Sequence, residues 1–313
     1  MNTRMPLDQV LRSVPCRQIL SAIALTALAV LSRPARAQAQ PIDLGKRLIG
    51  HPLYLRSAWQ EDNLEFDGRG RPVHPTDAHR GPVTLSGIDV TSVTVRGDQL
   101  QIHGARVALV APSAGQPLQR ATAIGSTTQL AFSLRRGDKR LYRAAENVQM
   151  IVHANASGSF DEALHAIFAE GLAQLASSVP AFWHCYAASY FIEGPPSADA
   201  AKNVEHCAST QSTGVHFNTP EPESFTAPAV VQSFEPRFTH TARELRIEGE
   251  SKVYVTVESN GLPSEFQVIQ PLGAGLDEES LLAASHFTFR AASLDGKPVR
   301  SGFLVQIRYG TQP

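Results

Sequence analysis

Cysteine side chains have the clearest chemistry in this sequence. Cys185 and Cys207 are the two cysteines that follow the N-terminal segment, and a third, Cys16, lies within it. Two cysteines in an oxidising compartment are typical of one disulfide, which for a loop of this length would stabilise the fold by about 3 kcal/mol. The sequence therefore predicts a disulfide between Cys185 and Cys207. The alternative is a pair of buried thiols that do not meet.

Histidine spacing does not predict a metal site. Among the eleven histidines, His74 and His79 lie five positions apart in a polar loop, with Asp77 between them. No third ligand follows at the spacing that structural or catalytic zinc sites use. We therefore expect neither a metal nor another cofactor.

Catalytic motifs are also missing from the sequence. It contains no Gly-x-Ser-x-Gly, no phosphate-binding loop of the Walker type, no Gly-x-Gly-x-x-Gly and no His-Glu-x-x-His. The formal net charge of −1 gives no sign of nucleic-acid binding. We therefore predict a protein that is not an enzyme and has no nucleic-acid partner.

Residues 1–37 have the pattern of a secretory signal peptide. Arg4, Arg12 and Arg17 precede a run of thirteen nearly all apolar residues at positions 19–31, and Ala-Arg-Ala at 35–37 fits a cleavage site. Thirteen helical residues span about 20 Å, which is short of the roughly 30 Å hydrocarbon core of a bilayer. The sequence predicts a cleaved signal and a periplasmic or secreted protein. The alternative is an uncleaved anchor in the inner membrane.

Residues 38–215 are predicted to form a β-rich domain that ends in helices. The clearest hairpin covers residues 93–102, where a two-residue turn at Gly97 and Asp98 sets Val95 opposite Leu100. Helical spacing of apolar residues begins near position 159, and an aromatic cluster at 182–191 surrounds Cys185. We expect this cluster to pack on the sheet of its own domain. A Pro- and Ser-rich stretch then leads to an interdomain linker at 216–227.

Residues 228–313 are predicted to form a second, smaller domain. Its order of elements is helix, strand, tight turn, strand, helix, strand. Val253, Val255 and Val257 alternate with polar residues, which is the period of a half-buried strand, and Asn260-Gly261 is a common hairpin dipeptide. The acidic run 277–279 is placed where the dipole of a following helix favours it. The fold class is therefore α+β, with a three-stranded antiparallel sheet and two helices in this C-terminal module.

Several short pieces follow one another along residues 228–310. These pieces are Phe-Glu-Pro-Arg-Phe at 234–238, Gly249, Asn260-Gly261, Gly-Leu-Asp at 275–277, Phe-Thr-Phe-Arg at 287–290 and Asp-Gly-Lys-Pro-Val at 295–299. In the type and spacing of these pieces, the stretch resembles the C-terminal domain of TonB, an energy-transducing periplasmic family. The chain departs from the family pattern at Glu235, Thr239 and Ala291, where glutamine, proline and proline are usual.

The resemblance implies that an extended segment of a partner adds to the last strand of the sheet. Leu304, Gln306 and Arg308 would be the outward residues of that strand. Glu235, Pro236 and Phe238 lie where family members often carry Gln-Pro-x-Tyr-Pro, and we expect them to bind the partner as well. The implied partner is an envelope protein such as an outer-membrane TonB-dependent receptor. The alternative is that the edge is covered by the N-terminal domain or by a second copy of the module, which would give a homodimer.

Three hypotheses about function follow from the sequence. The first is an exported envelope protein whose module binds partner segments by strand addition, in TonB-dependent transmembrane transport. The second is a membrane-anchored energy transducer that retains its N-terminal helix. The third is a small-ligand binder or enzyme in the N-terminal domain, with a pocket lined by Trp183 and Tyr186.

Overall fold

A computed structural model describes residues 41–75, 80–121, 147–211 and 224–310. The predicted signal peptide, His79 and residues 216–223 of the predicted linker lie outside the described residues. The described residues belong to one compact unit that spans positions 39–313. The predicted α+β class is confirmed by the architecture described below.

The larger sheet has six strands in the order β2-β7-β4-β3-β1-β8. Its strands are β1 (Leu53–Leu55), β2 (Asn63–Phe66), β3 (Gly87–Arg96), β4 (Gln99–Val107), β7 (Asn147–His153) and β8 (Phe168–Ala169). Only the β2–β7 pair in this sheet is parallel, and the other pairs are antiparallel. The predicted hairpin is present, with Val95 opposite Leu100 and Gly97 at φ +62°.

The first hydrophobic core lies on one face of this sheet. Period-two alternation directs Leu64, Leu100 and Met150 to the inside, where all three are buried. Helices α1 (Pro41–Leu48) and α2 (Asp161–Ile167) contribute apolar side chains such as Leu48 and Leu164 to the same core.

A helical segment follows the sheet. It consists of α3 (Leu172–Leu175), 3-10 turns at Ala176–Ser178 and Ala181–Trp183, α4 (His184–Tyr190) and α5 (Ala200–Gln211). We expected the aromatic cluster of α4 to pack on the six-stranded sheet, and this expectation is wrong. Trp183, Tyr186 and Phe191 are buried in a second core together with Val253 and Val268 of the C-terminal sheet.

The C-terminal sheet has three antiparallel strands in the order β12-β11-β16. The strands are β11 (Gly249–Val257), β12 (Pro263–Gln270) and β16 (Ser301–Tyr309), preceded by α6 (His240–Glu244), and α7 (Leu276–Ser285) packs against β11 and β12. This is the predicted three-stranded sheet with two helices.

The described residues also form short ladders outside the two main sheets. They pair β10 (Ala229–Gln232) with β13 (Thr288–Arg290), β14 (Ala292–Leu294) with both β9 (Phe225–Thr226) and β15 (Lys297–Val299), and β5 (Leu109–Val110) with β6 (Gln119–Arg120). The predicted sequence division at 216–227 stays a prediction. The second core contains residues from both sides of that division, among them Leu109 and Val305.

Candidate functional site: the outer edge of the C-terminal sheet

Strand β16 forms one edge of the C-terminal sheet. It pairs with β11 over nine consecutive residue pairs, from Gly249↔Tyr309 to Val257↔Ser301, without a shift in register. In the part of the chain that the structure describes, no strand pairs with the other side of β16. A regular strand with one unpaired side presents a row of backbone N–H and C=O groups to an incoming segment.

Side chains alternate along β16 between the core and the opposite face. Val305 and Ile307 are buried, while Leu304, Gln306 and Arg308 are exposed. The structure thus places the three residues expected to be outward on the exposed face of the edge strand. Their contact with a partner stays a prediction.

The backbone groups that point outward can be read from the hydrogen bonds of β11. The side chain of Gln270, on β12, donates to the Glu250 carbonyl at 3.1 Å, and the N–H of Glu258 donates to the Leu262 carbonyl at 2.9 Å, also on the β12 side. The direction of the backbone N–H and C=O groups alternates along a strand. In β11 these groups therefore point to β12 at even-numbered residues and to β16 at odd-numbered residues.

The direction of each β16 backbone group follows from this alternation. The backbone groups of Val253 point to β16, and Val253 lies opposite Val305. The Val305 N–H is therefore directed inward to β11. Gln306 lies opposite Lys252, which points to β12, so the Gln306 N–H is directed to the open side. The exposed side chains and the outward backbone groups therefore belong to the same residues of β16.

The segment before α6 contributes one residue to the end of this edge. The ring of Phe238 packs edge-on against the ring of Tyr309, with centroids 5.7 Å apart, and the Arg243 guanidinium lies 5.9 Å from the Phe238 ring. Glu235 is exposed and Pro236 is half-buried. Of the three motif residues named from the sequence, the structure brings Phe238 to the edge strand.

Residues before the module cover the opposite edge strand, β12. Helices α4 and α5 contact β12, and the Gln267 amide donates to the Ala181 carbonyl at 3.1 Å. The N-terminal part of the chain therefore packs against β12.

The predicted disulfide is present. The Sγ atoms of Cys185 and Cys207 are bonded, which joins α4 to α5. Because both helices contact β12, the disulfide fixes the pair of helices that covers this side of the C-terminal sheet.

Two carboxylates at the start of α7, one fully buried and one half-buried, were not recognised from the sequence as site residues. Asp277 is fully buried and accepts hydrogen bonds from Ser251 Oγ at 2.9 Å, the Leu272 N–H at 2.8 Å and the Gly273 N–H at 2.7 Å. Burial raises the pKa of Asp277 to about 6, although these hydrogen bonds oppose the rise. The acidic run predicted acids that interact favourably with the dipole of α7. Nothing in its spacing indicated which of these side chains are buried.

Glu278 is half-buried and connects the module to the preceding part of the chain. Its Oε1 accepts the Val83 N–H at 2.8 Å and the Trp183 indole N–H at 3.0 Å, and its Oε2 lies 3.5 Å from Thr84 Oγ1. Burial, and then the charge of Asp277, raise the pKa of Glu278 to about 7.

The aromatic residues expected to line a ligand pocket do not do so. Trp183 and Tyr186 are 0% and 2% exposed, and their rings pack edge-on at 5.6 Å in the second core. A shallow cavity of about 260 Å³ lies instead beside β2 and β7.

Polar side chains from both strands line this cavity. Glu65 lies in it between two histidines, 2.6 Å from His153 Nε2 and 3.7 Å from His74 Nε2. No group of three metal-ligating side chains is assembled within the described residues.

The fold and the site define a small α+β module in which no strand of the described ranges pairs with the outer side of β16. Residues 235–311 match the family described as Gram-negative bacterial TonB protein C-terminal. This part of the chain is a TonB C-terminal domain. Among solved structures, the solution NMR structure of the Pseudomonas aeruginosa TonB CTD is 18% identical, with a TM-score of 0.22, over 33% of this chain and 100% of that one.

Comparison with curated proteins gives no match. None of the helices described is long and apolar enough to cross a membrane.

Proposed function

We propose that the chain is an exported envelope protein whose TonB C-terminal domain binds an extended segment of a partner protein by strand addition to β16. The observation that carries the proposal is the open side of β16. This strand keeps an unbroken register with β11 and directs the backbone of Gln306 away from the sheet. An extended peptide gains main-chain hydrogen bonds at such an edge, while alternate side chains set specificity.

The chemistry of the edge favours a segment with both apolar and acidic residues. Leu304 offers an apolar surface, since it is 38% exposed. Arg308 lies on the same face of the strand further towards its C-terminal end and offers an exposed guanidinium. We propose an envelope protein, in particular an outer-membrane TonB-dependent receptor, as the partner. The role assigned is binding without catalysis, cofactor, metal or nucleic acid.

The packing of α4 and α5 on β12 supports β16 as the edge that is used. A second copy of the module pairing through β16 would compete for the same backbone groups, so homodimerisation and partner binding would exclude each other at this edge. We therefore expect the protein to be a monomer in the complex with its partner.

The test uses the full mature chain as bait in an envelope extract, in three forms: wild type, Gln306→Pro and Gln306→Ala. Proline removes the outward N–H, whereas alanine removes the side chain and keeps the N–H. We expect wild type and Gln306→Ala to retain the same envelope protein and Gln306→Pro to lose it. Equal recovery with all three forms, or recovery no better than with an unrelated exported protein, would contradict strand addition at β16. Sedimentation of the free protein reports separately on a homodimer.

A further inference from the structure

The start of α7 is a junction between the TonB C-terminal domain and the preceding part of the chain. The Glu278 carboxylate accepts from Val83 and Trp183, and Thr84 Oγ1 in turn accepts the Gly275 N–H at 2.8 Å. These contacts join residues more than ninety positions apart in sequence. Both oxygens of one carboxylate thus face donors from the N-terminal part.

Backbone hydrogen bonds close the same junction. The Ala111 N–H donates to the Leu272 carbonyl at 2.9 Å, and the Ala274 N–H donates to the Leu109 carbonyl at 2.8 Å. Gly273, at φ +93°, lies directly against the backbone of Leu109. The loop that leads into α7 is therefore continuous with β5, and loosening it would separate the two parts of the chain.

Glu278 lies in an environment without a compensating positive charge. Its titratable neighbours are Asp277 and Glu279 on α7 and Tyr309 from β16, while Tyr186 from α4 lies near Asp277. Burial raises the pKa of both tyrosines, so they stay uncharged at neutral pH. The residues Val83–Leu85 that face Glu278 carry no ionisable group. Across the described ranges, no Lys, Arg or His forms an ion pair with Asp277 or Glu278.

We infer that the carboxyl pair Asp277–Glu278 is a proton-binding site that tightens this junction as the pH falls. Two adjacent carboxylates without a cation repel each other, and Asp277 is fully and Glu278 partly removed from water. Uptake of one proton removes the repulsion and leaves an oxygen of Glu278 free to accept from Trp183.

The direction of the effect follows from linkage. The pKa of Glu278 is about 7 in the fold, above its ordinary value of 4.5, so the folded chain binds a proton before the unfolded chain does. Stability should therefore increase as the pH falls through about 7, and the gain should be complete near pH 4.5. This is opposite to the behaviour of a salt-bridged acid.

The indole N–H of Trp183 reports on the proposed proton directly. The chain has two tryptophans, so a Trp59→Phe variant assigns the Trp183 signal in a nitrogen-15 spectrum of the mature protein. We expect this signal to titrate between pH 8 and 5.5 with a midpoint near 7. The titration should vanish in Glu278→Gln, which changes the acceptor of the Trp183 N–H, and persist in Glu279→Gln, which changes the next residue of the same helix.

Thermal unfolding over the same pH range gives a second readout. The midpoint of wild type and of Glu279→Gln should rise as the pH falls, and that of Glu278→Gln should change less. A Trp183 signal that does not titrate in wild type, or titrates equally in Glu278→Gln, would overturn the inference. If Glu278→Gln does not fold, the carbon-13 shift of the Glu278 carboxyl in wild type decides, and a midpoint near 4.5 would overturn it.

Discussion

Lys252 and Gln306 lie opposite each other across the ladder between β11 and β16, and their backbone groups point away from each other. The neighbouring pair, Val253 and Val305, has the reverse arrangement, with its backbone groups directed into the ladder. Adjacent residues of one strand therefore have separate roles, because one N–H holds the sheet together and the next faces its open side.

Proline substitutions at these two positions should have different effects. Val305→Pro removes an inward N–H and should lower the free energy of unfolding by about 2–4 kcal/mol. Gln306→Pro should leave unfolding close to wild type and weaken partner binding about tenfold, the value of one lost hydrogen bond. Denaturant unfolding and a binding titration measure the two effects. The assignment of direction fails if Gln306→Pro unfolds the protein and Val305→Pro does not.

The mature protein should begin at Gln38 or Gln40. Cleavage after Ala37 would follow the small-x-small pattern at 35–37, and the apolar run at 19–31 would then be lost. Amino-terminal sequencing of protein recovered from the envelope tests this expectation. A mature chain that still contains the run would favour the anchored energy transducer.

The disulfide should protect both cysteines of the mature chain. We expect neither Cys185 nor Cys207 to react with an alkylating reagent until a reductant is added. Replacing both cysteines with alanine should lower the free energy of unfolding by about 2–4 kcal/mol, because the unfolded chain gains freedom. Immediate labelling of the native exported protein would show that the bond does not form there.

A methyl group at Gly273 should be far more costly than one at Gly296. Both glycines have a positive φ, +93° and +75°, so alanine at either position costs about 1–2 kcal/mol in backbone strain. At Gly273 the added Cβ would also collide with the backbone of Leu109, whereas at Gly296 it meets nothing within 4 Å. Urea unfolding of Gly273→Ala and Gly296→Ala separates the two terms, and equal losses would argue against the β5 contact.

Local patterns were sufficient to predict the C-terminal sheet. The alternation of Val253, Val255 and Val257 fixes which face of β11 is buried, and the predicted hairpin turn contains Gly261 at φ +82°. The disulfide could also be predicted, because only two cysteines remain after the signal segment. In each case the information lies within a short stretch or in a count of residues.

The junction could not be predicted, because its contacts join distant segments. Val83 and Glu278 are 195 positions apart, and no periodicity relates them. Trp183 and Tyr186 have the composition of a core helix, but composition does not say which sheet such a helix covers. The short strands β10 and β13–β15 were missed for a similar reason, since each of them has only three or four residues.

The nine-residue ladder between β16 and β11 also has a mechanical consequence. A segment bound along β16 and pulled along its own axis would load the hydrogen bonds of this ladder in parallel, so that they share the force and do not break one after another. The load would pass from β11 to β12 and then to α4 and α5, which the covalent Cys185–Cys207 bond holds together. A pulling force applied at the edge strand would thus reach a pair of helices that a covalent bond holds together.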